Sequence, residues 1–348
     1  MLRALALAER GRFSVSPNPM VGCVLVKDGR VIGEGFHAQA GQPHAEVEAL
    51  TACTESPEGA TAYVTLSPCN HTGRTPPCTE ALASARVARV VVAVDDPNSI
   101  ARESGRDFLL RHGIEVEVGV LMAEATRLNE KFLYAVTNRT PFVLLKAAMS
   151  LDGKLATVLG DSQWITSEAA REKSLELREE YDAILLGGGT VIADDPRLTR
   201  RLGRNNAITP WLRVILDGGG RVPSTSRVLA DGGRTLIYTS RPERIAAHPM
   251  LEIVKVPRAV EIPALLTDLY SRGVQSVIVE GGPLVHSAFV RERLWQKLTA
   301  FVAPCFVGGD APAILQKTGV TALRDAERFR FDACEMVGSD LMVTAYPA

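Results

Sequence analysis

Residues 44 to 50, HAEVEAL, set His44 and Glu46 one residue apart at what reads as the start of a helix. About twenty residues later, TLSPCNHTGRTPPC places Cys69 and Cys78 each directly after a proline. A catalytic zinc takes three protein ligands and leaves one position open for water. His44, Cys69 and Cys78 are donors of the types zinc prefers. Cys78 follows Pro76-Pro77 at a helix start, where unpaired N–H groups and the helix dipole stabilise a thiolate. Glu46 has no need to be a ligand. Beside the water it can take a proton and later deliver it to a leaving amine.

Taken singly, each residue has a plainer explanation. A histidine near a helix start is more often structural, and a buried free cysteine is usually a small core residue. Together, H-A-E, a strand running into SPC and a second Pro-Cys opening a helix favour the metal. His71 is an alternative ligand or lines the pocket, and His37 is pocket-lining or structural. The same H-x-E and Pro-Cys pattern marks zinc nucleobase deaminases. Cytidine and transfer-RNA deaminases keep the short C-x-x-C spacing, whereas eight residues, NHTGRTPP, separate Cys69 from Cys78. That polar insertion carries Arg74, a cation suited to an anionic substrate tail such as a phosphate.

The elements that must hold these groups alternate. The first segment reads as a helix from Arg3, strands VGCVLV and VIGEG around Asp28-Gly29, the HAEVEALTAC helix, strand TAYVTL, the PCTEALASARVA helix, strand ARVVVAV and the helix-like FLLRHG. One amphipathic stretch, MAEATRLNEKFLYAV, then leads to the turn at Asn138 to Pro141. The domain boundary is expected there, giving domains 1–139 and 140–348. The second segment reads strand PFVLLKAAM, a charged helix SEAAREKSLELREEY, strands DAILLGG, LRVILDG and TLIYTS, a helix LLTDLYSRG, and strands SVIVEGG and KLTAFVAP. Such alternation predicts α/β layers in both domains.

Composition narrows the function classes. Lys plus Arg (39) nearly balance Asp plus Glu (40), so global charge gives no support for a nucleic-acid or anionic-membrane partner. No run approaches the roughly 18 apolar residues of a membrane helix, and the start, MLRALALAER, is too short for a secretory signal. Six dispersed cysteines do not form a disulfide framework. A reducing, cytoplasmic home is expected.

The stretch from PNPMVGCVLV to HAEVEAL, with YVTLSPCNHTGRTPPC, closely resembles the deaminase half of the bifunctional riboflavin-biosynthesis deaminase/reductases. LLKAAMSLDGKLATVLGDSQWITSEAAR, GGGTVIADDPRLT and VEGGP resemble their reductase half. The resemblance spans nearly the whole chain, with both motif sets in order. It implies a cytidine-deaminase-like three-layer domain followed by a dihydrofolate-reductase-like α/β domain, one zinc ion, and NADPH. It also implies two reactions on one pyrimidine ribosyl phosphate: hydrolytic removal of the 2-amino group, then reduction of the ribosyl group to a ribityl chain. A homo-oligomer is expected. Residue by residue, His44, Cys69 and Cys78 match the zinc ligands and Glu46 the proton donor. Ala148, Trp164, Thr190, Asp194, Gly218 and the run Gly282, Pro283, Leu284, Val285 and His286 match positions contacting the cofactor. Ser162, Arg178, Leu198, Arg201 and Glu280 match substrate positions.

The residues themselves leave more open in the second half. Gly187 to Thr190 and Glu280 to Pro283 each follow an apolar strand, so they are either plain turns or loops whose N–H groups approach a diphosphate. Neither is G-x-G-x-x-G. Arg178 stands on a helix where a solvated salt-bridged face is the bland alternative. Arg197, Arg200, Arg201 and Arg204 suit a substrate phosphate or form an exposed basic loop. Asp152-Gly153 reads first as a turn. Thr239, Ser240 and Arg241 can hold a 2′-phosphate or merely end a strand. Lys146, Lys154, Asp194 and Glu280 are all candidate proton donors. Against the family pattern, Ser67 stands where a glutamate is usual, Met20 where an asparagine often stands, and Gly218 where a serine is common. The segment after Asp96-Pro97-Asn98 lacks the usual glycine spacing. Two rival readings are a nucleoside or transfer-RNA deaminase fused to an unrelated domain, and a non-catalytic flavin-pathway sensor.

Overall fold

The computed structural model describes residues 1–73, 76–97, 104–257, 260–316 and 318–348. Arg74, expected beside the metal, and the 98–103 stretch after Pro97 lie outside the described residues. The chain divides into two compact units: Met1–Arg139 with Arg204–Thr209, and Thr140–Gly203 with Pro210–Ala348. Among the described residues no helix is long and apolar enough to cross a membrane.

The first unit contains α1 (Leu2–Glu9), β1 (Gly22–Lys27), β2 (Arg30–Phe36), α2 (Ala45–Thr51), β3 (Thr61–Leu66), α3 (Cys78–Ser84), β4 (Arg89–Val94), α4 (Gly105–Arg111), β5 (Glu115–Val118), α5 (Met122–Leu128) and α6 (Glu130–Asn138). Its sheet runs β2-β1-β3-β4-β5, antiparallel across β2, β1 and β3 and parallel from β3 to β5. Alternation fixes the layers. Cys23 and Leu25 of β1, Ala62 and Val64 of β3 and Val90 and Val92 of β4 bury against Ala45 and Ala49 of α2, Leu82 of α3 and Leu109 of α4. On the opposite face, α1 lies so close to β1 that a Cβ on Gly22 would sit 2.0 Å from the Ala4 carbonyl oxygen. This is the three-layer deaminase-like arrangement.

The amphipathic stretch over 122–136 forms two helices, α5 and α6, meeting at Asn129. Asn129 is buried, and its amide accepts from the Met20 N–H and donates to the Met20 carbonyl, both at 2.8 Å. Side-chain bonding of this kind competes with helical continuation.

The second unit contains β6 (Phe142–Ser150), α7 (Glu168–Glu179), β7 (Ala183–Gly187), α8 (Gly188–Asp194), β8 (Leu212–Leu216), α9 (Arg227–Ala230), β9 (Thr235–Thr239), β10 (Leu251–Lys255), α10 (Ile262–Ser271), β11 (Ser276–Val279), α11 (Pro283–Arg291), β12 (Lys297–Ala303), β13 (Phe329–Val337) and β14 (Asp340–Pro347). The sheet order is β10-β9-β8-β7-β11-β6-β12-β14-β13, parallel up to β12 and antiparallel beyond. Val143 and Leu145 of β6, Leu185 of β7 and Val277 and Val279 of β11 bury against α10 and Phe289 of α11. Ala170 and Leu177 of α7 pack with Ala148 of β6 and Phe301 of β12 in a separate cluster. The start of α7 is fixed from afar: Ser167 caps it while its N–H and hydroxyl donate to buried Asp340 at 2.7 and 2.8 Å. The mixed sheet is consistent with the reductase-type α/β fold.

Candidate active sites

The first site assembles at two helix starts and one strand end. His44 precedes the first residue of α2, Cys78 is the first residue of α3, and Cys69 lies just beyond β3. Helix α2 reaches this position because β2 carries G-E-G. A Cβ on Gly35 would lie 2.4 Å from the Ala49 nitrogen and 2.5 Å from the Ala45 carbonyl oxygen, so only glycine admits the helix backbone this close.

His44 Nδ1 is 3.2 Å from Cys78 Sγ and 3.5 Å from Cys69 Sγ. One ligand atom from each of the three lies within 4.8 Å of the others. His71 is outside this cluster. The Cys78 N–H donates to Cys69 Sγ at 3.4 Å. A hydrogen bond from the Cys78 thiol, with help from His44, holds the Cys69 thiol well below its usual range, while that same bond and burial push Cys78 upward. One imidazole nitrogen and two thiol sulfurs this close together form a donor set that a zinc ion fits, since metal binding displaces the thiol protons.

Glu46 is only 3% exposed. Burial first, and the Cys69 charge second, push its carboxyl up to about 7. His37 is buried too. Its Nδ1–H donates to the Pro43 carbonyl at 3.0 Å and its Nε2 accepts from Asn18 at 3.0 Å, which fixes the residue just before His44. The two rings meet edge to face, 5.1 Å apart. Burial lowers the His37 pKa. The Ser67 hydroxyl accepts the Asp96 N–H at 2.7 Å.

The second site is a cleft of about 1340 Å³ in the second unit. Strands β7 and β11 are neighbours; β7 ends at Gly187 and runs into α8 at Gly188, while β11 passes through Glu280, Gly281 and Gly282 into α11. Ligands of open α/β sheets bind outside such carboxyl ends. A Cβ on Gly282 would approach Thr190 Oγ1 to 2.9 Å, so the two turns form a cradle that added side chains would fill. Backbone N–H groups, a hydroxyl and nearby cations in so large a cleft fit a dinucleotide phosphate.

Ala148, Trp164, Thr190, Asp194, Gly282, Pro283, Leu284, Val285 and His286 line the cleft, as do Ser162, Arg178, Arg201 and Glu280. Leu198 and Gly218 are absent from its lining. The Leu198 side chain is 2% exposed, and the Gly218 carbonyl accepts the Ser240 hydroxyl at 2.6 Å. Thr239 and Arg241 also lie off the lining, where Arg221 and Arg227 are found instead. Trp164 is 68% exposed with the Arg171 guanidinium 4.5 Å over its ring. His286 is buried and donates from Nε2 to the Val279 carbonyl at 3.3 Å.

At the centre stands a charged triad. Glu280 accepts from Arg178 Nε at 2.7 Å and Nη2 at 2.9 Å, and from Lys146 Nζ at 3.3 Å. Burial pushes the Glu280 carboxyl up, but Arg178 and then Lys146 outweigh it and leave it at about 2. Burial lowers the Lys146 pKa. Arg178 is therefore a buried partner rather than part of a solvated face. Asp194 is raised by burial, partly offset by a hydrogen bond from Ser162. Of the four candidate proton donors, Lys146, Asp194 and Glu280 line the cleft. The Lys154 ammonium instead donates to the Gly309 and Ala311 carbonyls at 3.0 and 3.1 Å. Asp152 ties the same loop by accepting the Val307 and Gly308 N–H groups.

The arginine cluster divides. Arg197 and Arg201 line the cleft, Arg200 turns away from it, and Arg204 groups with the first unit. Sequence reasoning missed Asn129, Trp211, Arg213, Arg221 and Arg227. Only Arg213 left a signal, as a charge inside the apolar strand LRVIL.

Comparison with known proteins follows the same division. Residues 1–94 match the cytidine and deoxycytidylate deaminase zinc-binding region, and residues 141–343 match the RibD C-terminal domain. The chain is 41% identical to the riboflavin biosynthesis protein RibD of Bacillus amyloliquefaciens, covering 100% of this chain and 95% of that protein. The structure of Acinetobacter baumannii RibD matches with a TM-score of 0.90 at 39% identity, covering 100% of this chain and 97% of that one. A Thermotoga maritima structure described as a diaminohydroxyphosphoribosylaminopyrimidine deaminase/5-amino-6-(5-phosphoribosylamino)uracil reductase matches with a TM-score of 0.90 at 38% identity and the same coverage.

Proposed function

The chain belongs to the RibD family of riboflavin-biosynthesis proteins, and from that premise we propose how its two sites divide the work. It is a bifunctional deaminase/reductase with a zinc-binding deaminase domain and an NADPH-using reductase domain. The substrate is 2,5-diamino-6-ribosylamino-4(3H)-pyrimidinone 5′-phosphate. Residues 1–139 remove its 2-amino group by hydrolysis, and residues 140–348 then reduce the ribosyl side chain to give 5-amino-6-ribitylamino-uracil 5′-phosphate.

In the first step His44, Cys69 and Cys78 hold zinc. Bound there, zinc supplies Lewis acidity that brings the pKa of a water towards neutrality. Glu46, buried at the same helix start, accepts the proton and delivers it to the departing amine. His37 and Asn18 keep the loop before His44 in place. The observation that carries this reading is the convergence of one nitrogen and two sulfur donors beside a buried carboxyl.

In the second step the protein orients and sequesters the reactants. The glycine turns at Gly187 to Thr190 and Gly281 to Pro283 take the cofactor's diphosphate. Ala148, Trp164 and Asp194 line the same cleft and contact the remainder of NADPH, which hydride chemistry requires. Arg201 binds the substrate phosphate, and the Arg178–Glu280 pair presents the carboxylate edge to the ribosyl group.

The reading extends to a reducing, cytoplasmic compartment, because the two ligand thiols must stay unoxidised to hold zinc. It also includes a homo-oligomer, supported by the exposed Phe331 and Met336 of edge strand β13. The balanced charge and the long cysteine spacing favour this reading over an RNA deaminase. Mass spectrometry of the substrate incubated with purified enzyme tests it. An amine-to-carbonyl change without cofactor, then gain of two hydrogens with NADPH, is expected. No change in either tube with zinc bound would sink the proposal and leave the sensor reading.

A further inference from the structure

The segment that brings Arg197, Thr199 and Arg201 into the reductase cleft is held from behind. Positions 197, 199 and 201 line the cleft, whereas Leu198 and Arg200 turn inward. The alternation depends on a costly choice: Leu198 adopts a left-handed backbone, φ +55°, which L-residues with a large side chain rarely take. Two side-chain donors grip the backbone there. Trp211 Nε1–H donates to the Leu198 carbonyl at 2.7 Å, and Arg213 Nη1–H donates to the preceding carbonyl, that of Arg197, at 3.0 Å.

Both donors are themselves anchored. Arg213 is 1% exposed, and its remaining donors go to Thr235 Oγ1 at 3.0 Å, Asp231 at 2.6 Å and the Gly233 carbonyl. Arg200 stacks its guanidinium 4.4 Å over the Trp211 ring and donates to the Arg178 carbonyl at 3.1 Å. The stack thus ties the clamp to the end of the helix that carries Arg178. A side chain that must bind an anion from an irregular segment needs its backbone fixed, because misplacement by an ångström costs affinity steeply.

We propose that Trp211 and Arg213 are positioning residues, which hold consecutive carbonyls so that Arg197, Thr199 and Arg201 converge on the substrate's 5′-phosphate. The inference rests on the reading that Arg201 faces that phosphate. Neither residue touches substrate; both act through the segment they grip.

The test is steady-state reduction with the deaminated ribosylaminopyrimidine phosphate and with its dephosphorylated counterpart. Trp211→Phe keeps the ring beneath Arg200 and removes the donor. It is expected to raise KM for the phosphorylated substrate about tenfold, with kcat and the KM for NADPH changed less than about twofold. With the dephosphorylated compound it should match the unaltered enzyme. Trp211→His, whose ring N–H can reach the same carbonyl, should recover most of the loss, and it serves as the second variant if Trp211→Phe folds poorly. Arg201→Ala is the reference. If Arg201→Ala raises KM and Trp211→Phe does not, the clamp is overturned. Equal losses on both substrates overturn it as well, because the role is then general support of the fold. If Arg201→Ala leaves KM unchanged, the phosphate reading itself fails and the inference falls with it.

Discussion

Replacing Glu280 by Gln removes one charge from the reductase cleft while keeping its shape. Glu280, Arg178 and Lys146 are 9%, 15% and 12% exposed, so solvent screens the triad little. The carboxyl sits at about 2 against an ordinary 4.5. At about 1.4 kcal/mol per pKa unit this linkage is worth roughly 3 kcal/mol. An independent route agrees: breaking a buried ion pair by removing one partner costs about 3–5 kcal/mol, because the other charge is left uncompensated. Glutamine still accepts one hydrogen bond from Arg178, which favours the lower end. The folded pKa is depressed, so the stability is fully present above about pH 4.5 and is lost as pH falls towards 2; about 2 kcal/mol of it is gone by pH 3. Urea unfolding of both proteins at pH 7 and pH 3 measures this. The expected difference is about 3 kcal/mol at pH 7, shrinking to about 1 kcal/mol at pH 3. A difference below about 1 kcal/mol at pH 7, or one that does not shrink on acidification, would refute the reasoning.

Glu46→Gln should retain one zinc per chain by elemental analysis and lose deamination by about 10²–10⁴-fold, with reduction unaltered; deamination within tenfold of the parent would remove Glu46 from the proton-transfer role. Gly35→Ala forces a Cβ into the backbone of α2, so zinc content and deamination should both fall, and a variant with full zinc and turnover would show that the helix has room to move. Stripping zinc with a chelator should abolish deamination yet leave reduction of supplied deaminated substrate intact, which a coupled absorbance assay for NADPH oxidation reads directly. Loss of both activities together would contradict metal dependence confined to the first site.

The His44, Cys69 and Cys78 cluster was legible in the sequence because its chemistry is local. The ligand types, the prolines before each cysteine and the helix starts all fall within short windows. Periodicity likewise gave most strands and the α/β class, since apolar runs bounded by glycines need no tertiary information. It gave less where a side chain far away decided the outcome. The break between α5 and α6 exists because Asn129 bonds the backbone of Met20, 109 residues distant. Strand β13 escaped notice because much of its surface faces solvent, which leaves no clean apolar pattern.

What the sequence determined by itself is the zinc chemistry, the succession of two α/β units and, through its motifs, the family. What only the tertiary structure decided is which charges meet and which way they point. Lys146, Arg178 and Glu280 are separated by as many as 134 residues, and they meet because the sheet order puts β11 between β7 and β6 and lays α7 beside them. Arg197 and Arg201 face the cleft while Arg200 does not, because Leu198 turns left-handed under the grip of Trp211 and Arg213. Residue type and spacing fix what a group can do. Its direction and its partner's distance come from strand order and backbone dihedrals, which are set by packing across the whole unit.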